Sequence, residues 1–175
     1  MAAALEIIEQ GGKETLSLRA VARRLGLAPN ALYNYFPDRR RLEAALAAEG
    51  IRRLHAALKR AIQGRPDAQA VQRSCRAYLR FARRRPALYA TTMKAHPDTP
   101  ALLAARTSLR DFFRGLFRGL EDPRTVQTAG FAAWALLHGT AVQERDELLD
   151  GTDPQAGSRS AMDALIAALS RPGPH

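Results

Sequence analysis

Apolar residues recur at helical spacing along most of the chain, and no stretch shows the strict polar and apolar alternation typical of a strand. Proline, glycine and short polar groups interrupt this pattern and divide it into segments. The sequence therefore predicts an all-α protein of about nine helices, with a small helical N-terminal part followed by a larger helical part.

The predicted helix boundaries follow from local start and stop signals. Ser17, Asp38, Asp67 and Ser158 are candidate N-caps, and Pro86 is expected to open a helix, since proline suits the first turn. Residues 150–157 are expected to form a loop. The predicted helices cover residues 1–10, 18–25, 29–36, 39–62, 68–85, 86–94, 99–120, 123–149 and 159–169.

The segment from Ser17 to Leu42 predicts two short helices joined by a tight turn and followed by a third. Ser17 can cap the first helix, and Gly26 follows it at a position where helices often end in a left-handed conformation. The apolar face of this first helix consists of Leu18, Val21, Ala22 and Leu25, and Leu27 is expected to pack into the angle between the helices.

The second helix of this segment has two different faces. Leu32, Tyr35 and Phe36 share one side and are expected to be buried, whereas Pro29, Asn30, Tyr33 and Asn34 share the other and face outward. Two helices joined by a short turn containing glycine form a DNA-reading unit whose second helix enters the major groove. Asparagine pairs best with adenine, and tyrosine hydroxyls and arginines reach phosphates.

The run Ser17…Ala22…Leu25-Gly26-Leu27…Leu32-Tyr33-Asn34-Tyr35-Phe36…Arg39…Leu42 resembles the DNA-binding domain of the TetR family of bacterial transcriptional repressors. The resemblance implies a helix-turn-helix DNA-binding domain at residues 1–45. It also implies recognition contacts by Pro29, Asn30, Tyr33 and Asn34. By the same resemblance, Ser17, Arg19, Tyr35 and Arg39 are expected to contact the DNA backbone.

Three departures from the family pattern lie in this region. Ala28 stands where the family often has a capping serine or threonine, which costs about 1 kcal/mol at the helix start. Asn30 stands where glycine is frequent and can add a base contact. The leading helix is shorter than usual, as expected if the N-terminus is truncated or misannotated.

Two further runs resemble a TetR C-terminal subfamily named for its Trp-His-Gly motif. They are Ala77-Tyr78-Leu79-Arg80-Phe81-Ala82…Pro86-Ala87-Leu88-Tyr89 and Trp134…Leu137-His138-Gly139. The resemblance implies that residues 46–170 form a helical domain that binds a ligand and dimerises. Residues 171–175 are expected to be a disordered tail.

The last two helices are the expected dimer surface. The helix from residue 124 is rich in small residues that allow close helix approach, and the final helix carries an apolar stripe formed by Met162, Leu165, Ile166 and Leu169. Two such pairs would form an intersubunit four-helix bundle. The alternative is that both helices close the core of a single chain. A homodimer would read a palindromic operator.

Side chains of the larger part could line a pocket for a small apolar or aromatic effector: Tyr78, Phe81, Met93, His96, Phe113, Phe117, Trp134 and His138. The alternative is that most of them are core residues, because aromatic residues at helical spacing usually are. For His138, a hydrogen-bonded interior position is preferred to a ligand contact.

Composition narrows the class of protein. The chain has 175 residues, 46% of them hydrophobic, and Cys75 is the only cysteine, so no internal disulfide can form. No apolar run approaches the ~18 residues of a membrane span, and no signal-peptide pattern is present, so a cytoplasmic location is expected. The net charge of +10 favours a polyanionic partner, although residues 61–120, with 12 basic and 3 acidic residues, carry the largest excess.

An enzyme is the rival class, and the sequence argues against it. It contains no glycine-rich phosphate loop, no HExxH, CxxC or GxSxG motif, and no histidine spacing for a metal, so no cofactor is expected. Glu144 and Glu147 are predicted on a solvated helix face. The chain is thus predicted to be a homodimeric repressor that binds double-stranded DNA and is released by a ligand. The alternative is a helical ligand-binding or scaffold protein whose N-terminal domain, residues 1–45 and hereafter the head, does not read DNA specifically.

Overall fold

The computed structural model describes residues 1–63, 69–94, 99–117, 123–146 and 153–169. These ranges contain eight α-helices, two short 3₁₀ helices and no strand, which confirms the all-α prediction. None of the described helices has the length and hydropathy needed to cross a membrane. The α-helices are α1 Ala2–Gly11, α2 Leu18–Arg24, α3 Arg39–Ile62, α4 Ala70–Arg84, α5 Pro86–Lys94, α6 Pro100–Leu116, α7 Pro123–Asp146 and α8 Pro154–Leu169; the 3₁₀ helices are Lys13–Thr15 and Pro29–Leu32.

Proline opens each of the last four helices, because its missing N–H would have no partner in the first turn. Thr99 also caps α6, since its Oγ1 accepts a hydrogen bond from the Leu102 N–H at 3.2 Å. The helix α8 begins at Pro154, so the predicted start at Ser158 and the predicted loop beyond residue 153 are wrong. The predicted cap at Asp67 and the predicted disordered tail lie outside the described residues.

The chain separates into two compact units. Unit 1 comprises Met1–Leu54 together with Arg84–Ser108, and unit 2 comprises His55–Arg83 together with Leu109–His175. The helix α5 therefore belongs to the same unit as the N-terminal helices and packs against α1. Within unit 1, the Arg85 guanidinium also lies 3.5 Å from a carboxylate oxygen of Glu9.

Unit 1 has an aliphatic core to which α1, α2, α3, α5 and α6 all contribute. Gly50 allows α3 to approach α5 closely, because a Cβ at this position would collide with the Thr92 hydroxyl. That hydroxyl donates a hydrogen bond to the Leu88 carbonyl oxygen at 2.7 Å. Buried side chains of this core include Leu5, Ile8, Leu18, Val21, Leu42, Leu46, Ile51, Leu88 and Leu102.

Unit 2 is built around aromatic and small residues, and α7 packs directly against α8. A Cβ at Gly130 would lie 3.3 Å from the Arg114 backbone nitrogen, so this glycine lets α7 approach α6. Several small residues of α7 thus serve packing within the chain, whereas Ala135 is exposed. Buried side chains of this unit include Tyr78, Phe81, Leu109, Phe113, Ala133, Leu137, Ala141 and Met162.

Candidate nucleic-acid interface

The helix α2 supports the candidate interface and starts as the sequence predicts. Ser17 accepts a hydrogen bond from the Ala20 N–H through its Oγ at 3.0 Å, which confirms the predicted N-cap. Leu18, Val21 and Ala22 are buried as expected. Leu25 was predicted on the same buried face but is 48% exposed, because the helix ends at Arg24 and its last apolar position no longer faces the core.

The turn after α2 has the hydrogen bonds of a Schellman motif. Gly26 has a φ of 68°, its N–H donates to the Arg23 carbonyl, and the Leu27 N–H donates to the Ala22 carbonyl at 2.9 Å. The predicted left-handed end at Gly26 is confirmed. Leu27 was expected to pack between the helices but is 45% exposed, because the turn directs it away from the core.

The reading segment, defined as residues 29–36, is shorter in its helical part than predicted. Its 3₁₀ helix ends at Leu32, and turn residues follow it, so a helix continuing to Phe36 is wrong. Ala28 at the N-cap offers no side-chain acceptor. The hydrogen bonds from Ala31 to Ala28 and from Tyr33 to Asn30 span three residues, which is the tighter pattern of a 3₁₀ helix.

The reading segment nevertheless separates buried from exposed side chains. Leu32 is 7% exposed and anchors the segment, whereas Asn30, Asn34 and Tyr33 are exposed, as predicted. Tyr35 was expected on the buried side but is 77% exposed, because the turn after Leu32 breaks the helical register. The placement of the Pro29 side chain lies outside what the structure describes.

The side chains expected at the DNA backbone are accessible to different degrees. Arg19 and Tyr35 are exposed, and Ser17 is partly exposed although its oxygen caps α2. Arg39 donates to a carboxylate oxygen of Glu43 at 2.9 Å and lies 3.9 Å from Glu14, with 44% of its side chain exposed. A phosphate at this point would therefore compete with two intramolecular ion pairs.

The start of α3 is fixed by Asp38, as the sequence predicts. Its Oδ1 accepts a hydrogen bond from the Arg41 N–H at 2.8 Å. This cap holds the three arginines 39–41 at the helix N-terminus, where the helix dipole disfavours cations. All three are exposed, so the positive charge faces solvent next to the reading segment in the chain.

Four of the aromatic residues predicted to line an effector pocket are buried in unit 2. Tyr78 contacts Phe113 edge to face, with ring centroids 6.2 Å apart, and Phe81 and Phe117 are also buried. Such contacts agree with the core alternative as well as with a pocket lining. Of the other predicted contacts, Met93 is half-buried on α5 in unit 1, and His96 lies outside the described residues.

Trp134 and His138 lie one turn apart on α7 and stack face to face. Their ring centroids are 5.4 Å apart and the rings are nearly parallel. Phe131, which is 66% exposed, continues this row, with its ring centroid 6.0 Å from that of Trp134. Burial, and then the positive charge of Arg145, lower the pKa of His138 below its usual value.

Glu144 contradicts the predicted solvated face, and Glu147 lies outside the described residues. The Glu144 side chain is 10% exposed, and neither carboxylate oxygen has a hydrogen-bond partner among the described residues. Arg83 Nε lies 3.8 Å from one of these oxygens. Burial raises the pKa of Glu144, an effect that Arg83 opposes and Asp153 reinforces. The signal was in the sequence, because Glu144 lies seven residues after Leu137 and thus on the same helix face.

Two family models match the chain. The one described as bacterial regulatory proteins of the tetR family matches residues 1–46, and the one described as a tetracyclin repressor-like C-terminal domain matches residues 71–169. The chain is 27% identical over 175 residues to the uncharacterized HTH-type transcriptional regulator Rv0681 of Mycobacterium tuberculosis. That alignment covers 98% of this chain and 80% of the relative.

Solved structures share the fold. A protein of unknown function from Rhodococcus sp. RHA1 superposes with a TM-score of 0.81 at 26% identity, over 97% of this chain and 93% of that one. A TetR variant from Acinetobacter baumannii AYE in complex with minocycline gives a TM-score of 0.71 at 22% identity, with the same coverage. At that identity the second likeness concerns the fold alone. Because the C-terminal family model spans more than half of the chain and the N-terminal one covers the helix-turn-helix, the chain belongs to the TetR family and is a DNA-binding transcriptional regulator.

Proposed function

We propose that this protein is a homodimeric repressor that a small apolar or aromatic effector releases from a palindromic operator. The observation that carries the proposal is the exposed surface formed by Asn30, Tyr33 and Asn34, held in place by the buried Leu32. Because its partner would be chromosomal DNA, the protein would act in the cytoplasm.

We assign the polar side chains of the head to two roles. Asn30, Tyr33 and Asn34, together with Pro29, would face the bases, since amide groups match the edge of adenine. Ser17, Arg19, Tyr35 and Arg39 would contact phosphates and fix the position of the head on the duplex. The exposure of Tyr35 supports its assignment to the backbone, because a buried hydroxyl could not reach a phosphate.

We place the DNA-binding domain at residues 1–45 and the domain that binds the effector and dimerises at residues 46–170. The effector would contact Tyr78, Phe81, Phe113, Phe117, Trp134 and His138, which all belong to unit 2. Met93 and His96 stay predictions from the sequence. The stack of Trp134 on His138, with Gly139 next in the chain, supports the assignment of the C-terminal domain to the Trp-His-Gly subfamily. To lower operator affinity tenfold, the effector must prefer the released state by roughly 1.4 kcal/mol.

We propose that α7 and α8 form the dimer surface. The exposed Phe131 next to Trp134 would be unfavourable in water and gains from burial against a second copy. Exposed small residues of α8, namely Gly157, Ala161, Ala164 and Ala167, would let a partner helix approach closely. Light scattering at micromolar concentration is expected to give the mass of a dimer. A monomer, or an unchanged dimer after Phe131→Asp, would contradict this surface.

The test of base reading compares two alanine variants on an operator obtained by selection from random DNA. Asn34→Ala is expected to cost about 1–3 kcal/mol of operator affinity and to relax sequence preference at one position. Arg39→Ala is expected to weaken all sequences alike and to reduce the slope of log affinity against log salt by about 0.9, the value for one phosphate contact.

The two variants serve as controls for each other because both positions lie in the head and are exposed. Unchanged operator binding by Asn34→Ala would remove that residue from the base-reading surface. A loss confined to one base pair in Arg39→Ala would contradict its assignment to phosphate. If selection yields no preferred sequence with the unmodified chain, the proposed repressor function is wrong.

A further inference from the structure

One carboxylate of unit 2 lies where packing alone favours an apolar side chain. The core face of α7 carries Ala133, Leu137 and Ala141, all of them buried. Glu144 continues this face, since it follows Leu137 by seven residues and Ala141 by three. Its side chain is 10% exposed. The core face of the helix thus ends in an acid.

This carboxylate has unused capacity to accept hydrogen bonds. Neither oxygen has a partner among the described residues, and Arg83 Nε lies 3.8 Å away, beyond hydrogen-bond distance. Glu49 in unit 1 provides a contrast, because it accepts from Arg52 at 2.8 Å and from Arg53 at 2.7 Å. A carboxylate can accept about four such bonds, so Glu144 has room for several donors.

The negative charge of Glu144 is only partly compensated, because the cation that faces it, Arg83, lies 3.8 Å away. The Arg83 side chain is 43% exposed, so water screens its charge more than that of the carboxylate. Burial is the main cause of the raised pKa of Glu144; Arg83 opposes this effect, and the negative charge of Asp153 adds a smaller increase. A buried carboxylate without hydrogen bonds is costly, and a positively charged donor would remove most of that cost.

We propose that Glu144 anchors the effector of this regulator by accepting hydrogen bonds from an organic ammonium group that is attached to an apolar body. The inference rests on the proposed function, because it names the chemical class of the effector. A metal ion is a poorer candidate, since no group of three or more metal-ligating side chains occurs among the described residues. The apolar body follows from the class of effector proposed above.

Two probes of nearly equal size test the proposal: 4-phenylbutylammonium and the neutral 4-phenylbutan-1-ol. Binding to the full chain at pH 7.5 is followed by the fluorescence of Trp134, the only tryptophan, which lies on the same helix. The ammonium is expected to bind about 10- to 100-fold more tightly than the alcohol, as a charge-assisted hydrogen bond would give. Glu144→Gln is expected to abolish that preference without changing the affinity for the alcohol.

The matched control is Glu49→Gln, which removes a half-buried carboxylate already paired with two arginines and is expected to leave both affinities unchanged. Glu144→Asp keeps the charge and is expected to retain a preference for the ammonium. Glu144→Asp provides the test of the carboxylate if Glu144→Gln fails to fold. The thermal unfolding curve of Glu144→Gln would reveal such a failure.

Equal affinity of the unmodified chain for the two probes, or no binding of the ammonium at millimolar concentration, would overturn the proposal. A preference for the ammonium that persists in Glu144→Gln would also overturn the proposal. If the carboxylate instead binds a buried water, the unmodified chain would bind the two probes with equal affinity. Operator binding is measured in parallel. A chain that binds its operator but shows no ammonium preference loses only this inference, whereas a chain that binds no operator loses the proposed repressor function.

Discussion

Single residues divide the head into groups that support it and groups that are available to DNA. Leu32 is buried, whereas its neighbours in the chain are more accessible: Ala31 is half-buried and Tyr33 is exposed. The reading segment is therefore held by the buried Leu32, by the half-buried Ala31 and Phe36, and by backbone hydrogen bonds. Substitution of the exposed positions should change DNA affinity with little effect on folding.

Cys75 illustrates how burial controls the chemistry of one residue. Its thiol is buried on α4, and burial raises its pKa to about 12. At pH 8 only a very small fraction is thiolate, so the native protein is expected to react with a disulfide reagent far more slowly than the unfolded protein. Colorimetric titration with and without denaturant measures both rates. A native rate comparable to the unfolded one would mean that Cys75 is accessible.

At the scale of the element, the 3₁₀ helix of the reading segment starts without a side-chain cap. Ala28 occupies the N-cap with an extended backbone and has no side-chain oxygen to accept the free N–H groups. The three-residue hydrogen bonds that follow are a tighter and less favourable pattern than that of an α-helix. By contrast, α2 and α3 have side-chain caps at Ser17 and Asp38.

Installing a cap should therefore stabilise this element. Ala28→Ser is expected to raise the free energy of unfolding by about 1 kcal/mol and to tighten operator binding, because less ordering is left to occur on the DNA. Ala31→Ser, which places the same hydroxyl inside the 3₁₀ helix, is the control and should not stabilise. Chemical denaturation and operator titration measure the two effects, and equal stability of Ala28→Ser and the unmodified chain would contradict the role of the cap.

Most elements could be predicted from the sequence because their signals are local. Ser17, Gly26 and Asp38 act on their own neighbours, and the structure confirms all three. The burial of a residue near the end of an element could not be predicted, because it depends on where the element stops. Leu25 and Tyr35 would be buried only if their helices continued. The predictions for these two positions were wrong for that reason, whereas Leu18, Val21, Ala22 and Leu32 are buried as predicted.

The site is less predictable than the fold because partners distant in sequence decide it. The pairing of Arg39 with Glu14 follows from the packing of separate segments, not from spacing along one helix. Glu144 was predicted in solvent although its spacing from Leu137 places it on the buried face of α7; its distance from Arg83, on a separate helix, could not be predicted from spacing. The roles assigned to Asn30, Tyr33 and Asn34 remain predictions that rest on their exposure and on the family pattern.

At the scale of the whole molecule, stability should depend on pH through His55 and His138, which are half-buried. Burial lowers the pKa of both His55 and His138 from the usual value of 6.5, with further lowering by Lys59 and Arg145 respectively. As pH falls below 6.5, the unfolded chain therefore takes up protons that the folded chain resists, and stability is lost. The raised pKa of Glu144 acts in the opposite sense, by favouring proton uptake in the folded state at lower pH.

His138→Gln should consequently lose less stability than the unmodified chain when the pH is lowered from 7.5 to 5.5. Chemical denaturation at both pH values measures the change, and His55→Gln, made separately, tests the second histidine. Each variant removes one histidine, and each is expected to reduce the loss of stability at low pH. Equal losses in the unmodified chain and in His138→Gln would show that the stacked imidazole takes up its proton equally in both states.

The close approach of α3 and α5 at Gly50 has a consequence for engineering. Because Leu88 and Thr92 complete the same compact unit as the helix-turn-helix, a fragment ending at Leu54 would present an uncovered apolar surface and tend to aggregate. A transplantable reading head would instead need residues 1–54 and 84–108 joined by a designed connection. The smallest portable form of this DNA reader is thus discontinuous in the gene that encodes it.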